Sequence, residues 1–199
     1  EFVSNVSNGD WFEPWAFNIG VTLNIDLIAG YNWISFNVEV EDASLGSILE
    51  SISEDALFIA SQSSGVSTNY EGYGWGGSLA ELDPTEMYKL NMAAPVTLTI
   101  TGVPVDVTST PISLIGGWNW IGYLPQNPGA LNVALESVSD NADFIASQSS
   151  GVSTNYEGYG WGGSLVTLAP GNGYLLDMNA ADELVYPEFD GLARLTENK

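Results

Sequence analysis

The chain has 199 residues, 25 carboxylates and three basic side chains, giving a formal charge of −22, and contains neither cysteine nor histidine. Those absences exclude disulfides, thiol catalysis, Cys/His zinc sites and histidine acid–base chemistry. Lys89, Arg194 and Lys199 are too scattered to form a basic patch, so nucleic acid and anionic membrane surfaces are not expected partners.

Residues 1–23 carry Trp11, Phe12, Trp15 and Phe17, too much aromatic surface for a free tail. This segment is expected to add a strand, either to its own sheet or, by strand donation, to the edge of a neighbouring molecule. Beyond it the chain is duplicated. Phe58 to Leu79 reads FIASQSSGVSTNYEGYGWGGSL, and Phe144 to Leu165 repeats it without a change at an offset of 86. Around this core the copies diverge but stay aligned: IDLIAGYNWISF from Ile25 lies over ISLIGGWNWIGY from Ile112, and LDPTEMYKLNM from Leu82 over LAPGNGYLLDM from Leu168. The expected organisation is a repeat module at 24–110, a second at 111–190 and a polar linker at 191–199.

Each module carries the same predicted elements. Alternating apolar residues around Tyr31, Trp33 and Ile34, bounded by Gly30, predict a strand pair, with Trp33 and its counterpart Trp120 in the core. Leu45, Ile48, Leu49 and Ile52 follow the i, i+3, i+4, i+7 spacing of one helical face, as do Leu131, Ala134, Leu135 and Val138. Ser44 is placed to cap the first of these helices. A strand from Phe58 to Ser61, a polar loop, and a strand through Trp75 to Leu82 come next. Strands at Met87–Met92 and Val96–Thr101 complete the module, with Pro95 in the turn between them. The predicted fold is mainly β with one short helix per repeat (α+β), as two pseudo-symmetric tandem modules.

The motifs of common enzyme classes are missing: there is no GxSxG and no Walker or dinucleotide fingerprint, and the glycine-rich YGWGGS lacks the lysine and helix of a phosphate loop. Glu71 and Glu157 are equivalent acids in separate modules, with nothing to set either across a cleft from a second carboxylate. No catalytic residue is therefore assigned. A structural Ca²⁺ is the one ion the composition suits, through Asp140 and Asp143 or through Glu39, Glu41 and Asp42, although no DxDxDG loop is present.

Aromatic residues beside amides are the stronger lead. Trp75 and Trp161 are flanked by glycines, with Tyr70, Tyr73, Tyr156 and Tyr159 nearby and Gln62, Asn69, Gln148 and Asn155 supplying hydrogen-bonding groups. Flat rings beside amides suit stacking on sugars; the alternative is that these aromatics pin the polar loop to its sheet. Identity through a polar loop points to both copies meeting the same partner surface, or to recent exchange of sequence between them.

The combination of GWNWIG at Gly117, the FIASQ…YGWGGSL segment and APGNGYLLDM at Ala169 resembles paired repeats of large secreted multi-domain bacterial proteins, over roughly residues 24–190. The resemblance implies export and modular architecture and carries no functional residue with it. Few charges, abundant Ser, Thr, Asn and Gly, and many aromatics also suit an extracellular or cell-surface location. No apolar leader opens the chain, so it is expected to begin at a processed or excised end, and no run is long enough to span a membrane. The expected function is non-catalytic and structural: self-association or assembly with other surface proteins, with a head-to-tail contact between copies that propagates into filaments. The alternative is a bivalent carbohydrate-binding or adhesive module.

Overall fold

The structure is a computed structural model and describes residues 20–189. Trp11, Phe12, Trp15 and Phe17, with the strand donation expected of them, lie outside the described residues, as does the linker at 191–199. The first half contains β1 (Val21–Leu27), β2 (Gly30–Ile34), β3 (Val38–Glu39), the helical turn α1 (Leu45–Ile48), β4 (Ala56–Ala60), β5 (Val66–Tyr70), β6 (Gly74–Gly77), β7 (Tyr88–Met92) and β8 (Val96–Pro104). The second contains β9 (Ile112–Leu114), β10 (Gly117–Ile121), β11 (Gly129–Ala130), α2 (Leu131–Ala134), β12 (Ala142–Ser147), β13 (Val152–Tyr156), β14 (Gly160–Gly163), β15 (Thr167–Leu168), β16 (Tyr174–Met178) and β17 (Asp182–Leu184). The described residues are mainly β, with antiparallel sheets and two short α-helical turns.

Two five-stranded sheets dominate, ordered β2-β7-β4-β5-β6 and β10-β16-β12-β13-β14. In the first half β1 closes against β8, with Ile25 opposite Leu98; in the second β9 closes against β17, with Ile112 opposite Leu184. Buried apolar residues form two clusters, one from Ile25 to Ile100 and one from Val105 to Tyr186. The helical spacing at Leu45 gives only one α turn, continued by a 3-10 turn at Glu50–Ile52, and its apolar face is buried. Ser44 caps it as expected, accepting a hydrogen bond from the Ser47 N–H at 3.4 Å.

Two local expectations change. The polar stretch after Phe58 is not a loop: VSTNY forms β5, paired to β4 through Phe58–Thr68 and to β6 through Asn69–Trp75. Its inward polar side chains each find a fixed backbone acceptor. The buried Ser67 hydroxyl donates to the Leu79 carbonyl at 2.6 Å, and the Asn69 amide donates to the Ser53 and Ala56 carbonyls at 2.7 and 2.9 Å. A strand rich in Ser, Thr and Asn is stable once its inward groups are satisfied this way. The strand expected through Leu82 correspondingly stops at Gly77. The tight turn into it uses Gly72 and Gly74 at φ of 76° and 79°, a conformation that favours glycine.

The second change concerns the phase of β2 and β10. Trp33 and Trp120 do not enter the core; the residues buried beside them are Asn32 and Asn119. Asn32 is accommodated because its amide donates to the Ile28 and Gly30 carbonyls while its oxygen accepts the Ile28 N–H, a side-chain bracket across the preceding turn. Asn119 repeats these three bonds around Ile115 and Gly117. With Asn and Ile inward, strand alternation turns Trp33 and Trp120 to the outer face.

Candidate functional site

The outer face of each five-stranded sheet carries a row of side chains held in register. In the first half Tyr31, Asn91, Phe58, Thr68 and Gly76 are opposite one another on β2, β7, β4, β5 and β6. In the second half the row is Trp118, Asp177, Phe144, Thr154 and Gly162. One planar polar side chain, Asn91 or Asp177, thus stands between two aromatic rings in each half. Tyr31 is 54% exposed and Trp118 47%. Trp118 meets Phe144 edge to face, with centroids 5.9 Å apart. At the far end the Tyr70 ring lies over Gly76, where a Cβ would stand 3.2 Å from Tyr70 Cε2, and Tyr156 covers Gly162 in the same way at 3.1 Å. Glycine here makes room for a ring laid flat on the sheet.

The sequence-derived candidates separate into three groups. Tyr70 and Tyr156 belong to the outer face, and Tyr73 and Tyr159 project from the hairpin tips, each 93% exposed. Trp75 and Trp161 point to the opposite side and pack against the two cores; the Trp161 indole Nε1 is buried with no partner among the described residues. Asn69 and Asn155 are occupied by backbone carbonyls of their own half. Gln62 and Gln148, by contrast, reach across to the other half. The Trp120 N–H donates to Gln62 Oε1 at 2.6 Å while Gln62 Nε2 donates to the Trp118 carbonyl at 2.7 Å. Reciprocally, the Trp33 N–H donates to Gln148 Oε1 at 2.6 Å and Gln148 Nε2 donates to the Tyr31 carbonyl.

These glutamines complete a junction in which neither β2 nor β10 is left with a bare edge. Residues 171–173 run beside β2, with Ser35 N–H donating to Gly171 O and Gly173 N–H to Trp33 O; residues 85–87 run beside β10, with Gly122 N–H donating to Thr85 O and Met87 N–H to Trp120 O. Capping both edges from the opposite half removes a template for unwanted pairing. The hydrogen bonds between the two halves are therefore reciprocal, each half capping an edge of the other. At the centre of the junction the two halves differ in complementary ways. Met87 is fully buried against Gly173, its alignment partner, where a Cβ would overlap the Met87 side chain. Lys89, aligned with Leu175, is the only basic residue among the described residues, and its Nζ lies 4.0 Å from the Trp120 ring centroid and 5.2 Å from that of Trp33.

Gln62→Ala and Gln148→Ala should each lower stability by about 1 kcal/mol. The double variant should depart from additivity by at least about 0.5 kcal/mol, because both residues brace one junction. Denaturant titration of the four proteins measures this; strictly additive losses would mean that the halves move independently.

No protein-family model, curated protein or solved structure matches this chain. The geometry of its own surface is what bears on its function. Among the described residues no group of three or more acidic side chains is assembled to hold a metal ion. Asp140 and Asp143 line a shallow groove with Tyr156 and Glu157, and Glu54, Tyr70 and Glu71 line its equivalent in the first half. Tyr31, Phe58, Asn91, Trp118, Phe144 and Asp177 of the outer-face rows were not among the sequence-derived candidates. The available signal was the alternation itself: in YNWI and GWNWI both phases contain an aromatic or an aliphatic residue, so nothing local says which side faces water.

Proposed function

We propose that the chain is a non-catalytic extracellular module of two pseudo-symmetric tandem repeats that adheres to carbohydrate through two corresponding aromatic rows. The observation that carries this reading is that the halves cap each other's edges while, among the described residues, Tyr31 and Trp118 of the two rows are exposed. Aromatic rings supply faces for sugar C–H groups, and the Asn91 amide, Asp177 carboxylate and Thr68 and Thr154 hydroxyls supply partners for sugar hydroxyls. Two weak sites on one rigid body gain avidity on a repetitive surface without either being tight. On a glycan array the wild type should bind, and Tyr31→Ala/Trp118→Ala should weaken binding by about tenfold to a hundredfold. Tyr73→Ala/Tyr159→Ala, at the hairpin tips, should leave it unchanged. Absence of any glycan signal from the wild type sinks the proposal.

A second reading, assembly into larger structures, is favoured by one feature. The sheets end at β6 and β14, exposed glycine-rich edge strands that offer backbone groups to an added strand. Size-exclusion chromatography and negative-stain microscopy of the full chain and of a chain lacking residues 1–20 test it. Monodisperse monomer from both would remove it.

A further inference from the structure

The two rows differ at their centre. Asn91 lies between Tyr31 and Phe58, whereas Asp177 lies between Trp118 and Phe144. An amide bonds hydroxyls without preference for charge; a carboxylate set between two aromatic rings favours a cation, because its charge and the negative faces of the rings act together. The outer face already shows that it receives such a group. The Lys89 ammonium rests 4.0 Å over Trp120 and 5.2 Å from Trp33, on the same face as the rows. Trp118 is two residues before Trp120 on β10 and therefore points to the same side. Lys89 is the only lysine or arginine among the described residues, and its ammonium lies over Trp120 and Trp33. The chain's net charge of −22 adds long-range attraction for a cation and repulsion for an anionic polysaccharide.

We infer that the row Trp118–Asp177–Phe144 is a subsite for a glycan unit bearing a protonated primary amine, the chemistry of a de-N-acetylated amino sugar, while the row Tyr31–Asn91–Phe58 takes a neutral unit. This rests on the carbohydrate-binding reading above and assigns specificity within it. The ammonium sits against Trp118, its N–H groups donate to the Asp177 carboxylate, and the sugar ring stacks on the exposed aromatic surface. One fully neutral glycan fills only the first row well; a partly deacetylated one fills both.

Isothermal titration with glucosamine oligomers and with the matching N-acetylated oligomers, at physiological ionic strength, tests this on the full chain. The wild type should prefer the amine-bearing oligomer, and Asp177→Asn should weaken that ligand by about tenfold or more, a much larger loss than for the acetylated one. Asp26→Asn removes the same unit of charge from an exposed position on β1, where the carboxylate accepts a bond from Thr97, and should have no such effect. The preference should also fade as pH rises and the ligand amine loses its proton. Equal binding of both oligomers, or equal losses from the two Asp variants, overturns this inference and leaves the carbohydrate reading standing. Binding of neither oligomer, together with a silent glycan array, removes both.

Discussion

Between about pH 10 and pH 12 the protein should unfold cooperatively, because four tyrosines are buried in their neutral form. Tyr88, Tyr123, Tyr174 and Tyr186 are all nearly inaccessible. Each hydroxyl is tied to backbone: Tyr186 donates to Gly122 O and Tyr123 to Asn127 O, both at 2.8 Å, while Tyr174 accepts the Ala169 N–H at 2.9 Å and Tyr88 the Asp83 N–H at 2.6 Å. Burial disfavours the phenolate and pushes Tyr174 up to about 12, with Tyr88, Tyr123 and Tyr186 higher still. In the unfolded chain a tyrosine titrates near 10, so above that pH the folded state holds protons that the unfolded state has released. Stability is therefore complete below about pH 10 and falls as pH rises, by roughly 1.4 kcal/mol per tyrosine per pH unit, or about 5 kcal/mol per unit for all four. That slope is comparable with the whole stability of a domain. Circular dichroism and tyrosinate absorbance recorded together check it. The two signals should change in one transition; ionisation of these tyrosines with the sheet signal intact would contradict their burial.

Gly122→Ala should cost about 2–4 kcal/mol, although it adds a single methyl group. A Cβ at this position would stand against the Pro84 carbonyl oxygen, with the carbonyls of Pro84 and Glu86 both in its way. These are backbone atoms of the segment that caps β10, and the Gly122 carbonyl also accepts the buried Tyr186 hydroxyl. Neither side can yield without opening the junction or uncovering that hydroxyl. The aligned position in the first half tolerates a side chain: Ser35 Oγ donates to Asn172 O at 2.7 Å and accepts the Tyr123 N–H at 3.1 Å. Ser35→Ala should thus lose only these two bonds, about 1–2 kcal/mol. Thermal melts of the two variants decide the matter; equal losses would show that the backbones at Gly122 can separate freely.

The contrast at Gly122 and Ser35 also accounts for the pattern of divergence between the copies. Around the junction, aligned residues meet one another, and two identical bulky groups cannot occupy one place. Met87 against Gly173 is a solution of this kind. The 22-residue segment contains Gln62 and Gln148, which instead meet equivalent backbone positions on β10 and β2 and so make the same bonds in both directions. Identity suits a residue that binds its neighbour's backbone; difference suits a residue that faces its own counterpart.

The positions of most strands and both helical turns were legible in local spacing, because strand and helix periods are properties of a few consecutive residues. Ser44 as a cap, the turn at Pro95 and the apolar face at Leu45 come from that alone. β5 was not legible, since VSTNY is polar and becomes a strand only when the carbonyls of Ser53, Ala56 and Leu79 are brought to it. The outward direction of Trp33 and Trp120 was hidden for a related reason: the choice between Asn32 and Trp33 as the inward residue depends on the Ile28–Asn32 bracket and on what covers the face.

The sequence by itself determined that this acidic chain is duplicated and mainly β, and that Cys- and His-based chemistry is absent. Only the tertiary structure decided that the two copies meet reciprocally and that Gln62 and Gln148 are spent on that meeting. It also decided that Tyr31 and Trp118 are exposed while Trp75 and Trp161 pack against the two cores. The partners of Gln62 lie 56 and 58 residues away, and those of Gln148 lie 115 and 117 away. No local periodicity records which edge a loop will reach across such separations; packing of the two sheets does.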